Sequence, residues 1–69
     1  MPIYRGKEIS DDDLQALLDA YRDGYTAAGC TNVEDSDQPI LDRLEEDAVE
    51  TRAHARRLGH FDCELATES

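Results

Sequence analysis

The chain has 69 residues, with 17 acidic side chains against 7 basic ones, and carries a formal net charge of −10. That length supports one small domain, whose core supplies no more than about 3 to 5 kcal/mol unaided, so a staple or a partner is expected. A single Lys and no basic stripe exclude conventional nucleic-acid binding, and no apolar run approaches the roughly 18 residues of a membrane span.

Ile3-Tyr4-Arg5-Gly6-Lys7-Glu8-Ile9 reads as a short extended arm over residues 1–9, with a turn at Gly6. Ser10 follows as a helix N-cap, with Asp13 three residues on and Ile9 and Leu14 placed as a hydrophobic staple. A first helix over 11–28 then carries Leu14, Leu17, Leu18, Tyr21 and Tyr25 on one face. Gly29 suits the left-handed residue that closes a helix, with Tyr25 and Cys30 positioned for the contact that accompanies it. Gly24 costs about 1 kcal/mol inside a helix. Ala20, Gly24 and Ala28 form a smooth ridge, so Gly24 is either tolerated or compensated by close approach of another helix.

Residues 30–38 form a polar loop that ends in cap candidates before Pro39. A second helix is expected over 39–58, stopped by Gly59. Its seam of Leu41, Leu44, Ala48, Thr51, Ala55 and Leu58 alternates steps of three and four, close to a helix-pairing heptad. A tail over 60–69 holds Phe61 and Leu65 as anchors. Together these elements predict a mainly α fold, an antiparallel two-helix hairpin with an extended N-terminal arm. With only 13 Leu, Ile, Val and Phe in the chain, the hairpin is expected to dimerise into a four-helix arrangement, with Leu14, Leu17, Leu18, Tyr21, Gly24, Tyr25, Leu41, Leu44, Ala48, Ala55 and Leu58 as core or dimer contacts.

Cys30 and Cys63 are too few for a disulfide framework, and on a hairpin they fall at opposite ends. Both are therefore expected to be ordinary small apolar thiols, and no metal site is expected from them with His54 and His60. His54 lies four residues after Glu50, which suits a surface pair. With no nucleophile–base motif, phosphate loop or cofactor motif, the chain is not expected to be an enzyme or to hold a cofactor. The N-terminus lacks a signal-peptide apolar run, so the expected location is cytoplasmic.

Charge is segregated. The acids crowd residues 8–50, whereas Arg52, Arg56 and Arg57 stand together without an acid. On a helix over 39–58 this puts acids early and cations late, as the helix dipole prefers. The functional expectation is a non-catalytic acidic module, an inhibitor or adaptor that occludes a basic surface of a partner protein through Asp19, Asp23, Asp42, Glu45, Glu46, Asp47 and Glu50. The loop acids Glu34, Asp35 and Asp37 extend that set, and Tyr4, Arg22 and Arg43 are candidate contacts. Two alternatives are a mimic of nucleic acid that competes for a host protein, and a structural helical dimer. No direct contact with nucleic acid or membrane is expected.

Overall fold

The computed structural model describes residues 2–31 and 36–68; Glu34 and Asp35, named above among the loop acids, lie outside the described residues. It is mainly helical. A two-stranded antiparallel hairpin, β1 (Ile3–Tyr4) and β2 (Lys7–Glu8), precedes α1 (Asp11–Ala27), α2 (Asp37–Glu46) and α3 (Arg52–Glu68). Arg5 and Gly6 both take positive φ (55° and 77°), the backbone that a two-residue hairpin turn requires. Ser10 caps α1 by accepting the Asp13 N–H at 3.1 Å. At the other end Gly29 has φ 101°, and the Gly29 and Cys30 N–H groups donate to the Thr26 and Tyr25 carbonyls.

The region expected as one helix over 39–58 is two helices. α2 ends at Glu46, Ala48 turns left-handed at φ 53°, and the Ala48 and Val49 N–H groups return to the Glu45 and Leu44 carbonyls. This is the same capping geometry as at Gly29, sealed by apolar contact between the positions of Leu44 and Val49, both fully buried. Thr51, expected on a seam, instead accepts the His54 N–H at 3.1 Å and starts α3. Helix then continues through Gly59 and across the expected tail.

The break changes the architecture from the expected antiparallel hairpin. α2 runs back along α1, and α3 reverses again, so α1 and α3 point the same way. Their starts meet where Asp12 and Ala16 share a cleft with Thr51 and Arg52, their middles at Gly24 and Arg56, and their far ends at Cys30 and Cys63. The last two residues form a disulfide, with Cα atoms 5.9 Å apart, and not the separate thiols expected. The expectation failed because it placed Cys63 beyond the end of a helix running away from Cys30.

Two glycines set the spacing of the parallel pair. A methyl added at Gly24 would overlap the Arg56 carbonyl and stand 3.0 Å from Arg56 Cα; one added at Gly59 would overlap the Tyr21 carbonyl. Close approach is therefore what compensates Gly24, and Gly59 is a contact residue and no stop. The core between the helices comprises Leu17, Leu18, Tyr21, Ile40, Leu44, Val49, Ala55 and Leu58, with Leu14, Tyr25 and Leu41 half-buried against it. Most of the residues expected as core or dimer contacts thus lie in or against the core of one chain. Ala48 is exposed.

Two substitutions of opposite sign test this packing in urea unfolding. Gly24→Ala gains helix propensity yet collides with backbone, and a net loss of about 2 kcal/mol or more is expected. Ala48→Gly relieves the left-handed strain and is expected to gain about 0.5 to 1 kcal/mol. The disulfide closes a sequence separation of 33 residues; reduction is expected to lower stability by about 3 to 4 kcal/mol, read as a lower urea midpoint with reductant.

Candidate functional site

Three half-buried or partly exposed arginines are each committed to an internal carboxylate. Arg5 on the hairpin turn reaches Glu50 at 2.6 Å, and Arg22 on α1 reaches Asp37 at the start of α2 at 2.6 Å. Arg43 on α2 grips Asp62 on α3, its Nε 3.0 Å from Oδ2 and its Nη2 3.0 Å from Oδ1. Tyr21 on α1 donates its hydroxyl to the same carboxylate at 2.5 Å. Asp62, whose side chain is 14% exposed, thereby joins all three helices.

Burial, then the hydrogen bond to Asp62 and that carboxylate's charge, push the Tyr21 phenol well above its ordinary range. The Tyr21 ring also lies against Tyr25, centroids 6.1 Å apart. Asp62 escaped the sequence analysis because the break in the second helix was not foreseen. The available signal was its spacing, four residues after Leu58 and seven after Ala55.

Tyr4 is 7% exposed and donates its hydroxyl to the Val49 carbonyl at 2.6 Å. That position removes it from the outward-facing candidates, and burial raises its phenol as well. Arg22 and Arg43, likewise candidate contacts, are held by Asp37 and Asp62. His54 pairs with Asp47 at 2.9 Å, and not with Glu50 as its spacing suggested.

The structure divides the candidate carboxylates into two groups. Asp42, Glu45, Glu46 and Asp47 are exposed at the C-terminal end of α2, with Glu50 on the turn beyond. Asp42 accepts from Gln38, and Glu46 lies 3.7 Å from Arg43. Asp19 and Asp23 instead line an open groove of about 810 Å³ between α1 and α3, with Arg52 and Arg56 on its other wall.

The break also reverses the expected relation between charge and helix dipole. Acids occupy the negative, C-terminal end of α2, and Arg52, Arg56 and Arg57 occupy the first two turns of α3, its positive end. Both arrangements oppose local helix stability, offset in α2 by Asp37 in its first turn and Arg43 in its last. Among the described residues these three arginines have no ion-pair partner. Among the described residues, no three His, Cys, Asp or Glu side chains converge as a metal site, and no helix is long and apolar enough to cross a membrane.

Together these features define a small, disulfide-stapled three-helix protein with an acidic end and a groove walled by opposite charges. No protein-family model, curated protein or solved structure matches the chain.

The Tyr21–Asp62 contact has a consequence at high pH. A phenol held protonated in the fold gives stability that is complete below the unfolded value of about 10 and is lost as pH rises from there towards the folded value. Stability is therefore expected to fall above pH ~10, and less steeply in Tyr21→Phe. Urea midpoints across that range, with tyrosinate absorbance followed in parallel, check both statements; identical alkaline slopes in the two proteins would refute them.

Proposed function

We propose that this chain is a non-catalytic acidic binding module, an inhibitor or adaptor that occludes a basic surface of a partner protein with the carboxylates at the end of α2. One observation carries the reading. Glu45 and Glu46 stand exposed in the last turn of α2, where the helix dipole disfavours them, Asp42 stands exposed just before that turn, and Arg43 is the one cation among them. Charges that cost local stability are expected where a surface serves recognition. Clustered carboxylates would steer a cationic partner to this end and set the orientation of docking.

The test pairs two readouts on Asp42→Asn/Glu45→Gln/Glu46→Gln, which leaves Asp47 with His54 and Glu50 with Arg5 and gives up the exposed contacts of Gln38 with Asp42 and Arg43 with Glu46. Relieving the dipole conflict is expected to raise stability by up to about 1 kcal/mol. Capture of the partner from a native host lysate at low salt, strong with the parent chain, is expected to drop at least about tenfold. Undiminished capture by the triple variant would refute the proposal. Displacement of the captured protein by duplex DNA would reassign the surface to nucleic-acid mimicry.

A further inference from the structure

We infer that the groove between α1 and α3 is a self-association surface whose occupant is the same groove of a second copy of this chain. The surface differs from the seam expected from sequence, which is consumed in the core. Its floor is made of small residues, Ala16, Ala20, Gly24, Ala27 and Ala53, which let another backbone approach closely. A floor of that kind does not by itself choose an occupant; the charges on its walls do.

Asp19 and Asp23 stand four residues apart on α1, and Arg52 and Arg56 four apart on α3. The two helices run in the same direction, and the contact of Gly24 with Arg56 fixes their register. Asp23 is therefore level with Arg56, and Asp19, one turn earlier, with Arg52. A two-fold axis parallel to the helices preserves height while it exchanges the walls, so α1 of one copy lies over α3 of the other. Asp19 of each copy then faces Arg52 of the other, and Asp23 faces Arg56. Symmetry doubles this to four opposite-charge pairs in one isologous interface.

Arg52 and Arg56 have no ion-pair partner among the described residues, and they crowd the positive end of α3. Carboxylates from a second copy would relieve both conditions. The net charge of −10 on each chain opposes the encounter. Because that repulsion acts over longer range than the paired rows, added salt at physiological strength is expected to screen it more than it weakens the ladder.

Light-scattering mass of the whole disulfide-bonded chain across a dilution series, at physiological salt, is the first measurement. The expected mass moves from that of one chain to that of two as concentration rises. A charge-swap pair identifies the surface. Asp19→Lys/Asp23→Lys carries only cations on both walls, and Arg52→Glu/Arg56→Glu carries acids on both, with Arg57 and His60 still at the edge of the α3 wall. Each alone is expected to dimerise at least about tenfold more weakly than the parent. Mixed in equal amounts they restore every pairing, and the doubled mass is expected to return. Both variants keep a net negative charge, so gross attraction between chains does not explain recovery. Helical circular dichroism and an intact disulfide in each variant show that both fold. A concentration-independent monomer mass of the parent would overturn the inference. So would variants that still dimerise alone, or a mixture that fails to recover. None of these outcomes depends on the α2 carboxylates tested above.

Discussion

The Val49 carbonyl sits in the reversal between α2 and α3 and has no helical partner; the Tyr4 hydroxyl supplies one at 2.6 Å. Val49 and Leu44 are fully buried beside it, and Arg5 closes over the outside of the turn on Glu50. An unmade hydrogen bond at such a depth costs about 1 to 3 kcal/mol, which makes the N-terminal hairpin part of the fold's core. Because the chain reverses here, α3 lies along α1 in the same direction. The glycine contacts, the three-helix grip on Asp62 and the meeting of Cys30 with Cys63 all follow from that direction. Had α2 continued through Ala48, none of these pairs could form.

The same reversal gives the charges their meaning. On one continuous helix, acids before cations would be ordinary dipole complementation. Divided at Ala48, the identical sequence places carboxylates at one helix's negative end and guanidiniums at the next helix's positive end. The committed arginines, Arg5, Arg22 and Arg43, show that the chain can tie basic groups internally. Arg52 and Arg56 are left outward, opposite Asp19 and Asp23. Their separation from the structural ion pairs is what makes the groove a candidate for intermolecular contact.

Local chemistry was legible in the residues. Ser10 and Asp13 mark the start of α1, Gly29 its end, and Gly6 the hairpin turn, because each effect acts within a few residues. The apolar spacing from Leu14 to Leu44 likewise marks the buried faces. The break at Ala48 was not legible, since alanine is the best helix former and the left-handed residue is glycine at the equivalent place after α1. What overrides propensity there is tertiary: burial of Val49 and the hydroxyl of Tyr4, which lies 45 positions away. Gly59 misled for the converse reason. Its freedom from a side chain serves a helix crossing, and local sequence does not distinguish that from a stop. From these two positions came the misplaced Cys63 and the overlooked Asp62.

A chain this small has little hydrophobic reserve with which to tolerate adverse electrostatics. The disulfide changes that balance. It constrains the unfolded ensemble across 33 residues and ties the segment just past α1 to the later half of α3, while the glycines bring the middles of the two helices into contact. The start of α3 is held by Thr51 and by the clasp of Tyr4 on the preceding turn. With α3 anchored along its length, carboxylates and guanidiniums can remain exposed where they disfavour their own helices. Stability supplied by a covalent link and by backbone contact lets the charged side chains of both surfaces stay outside the core, which is the division of labour the proposed binding module requires.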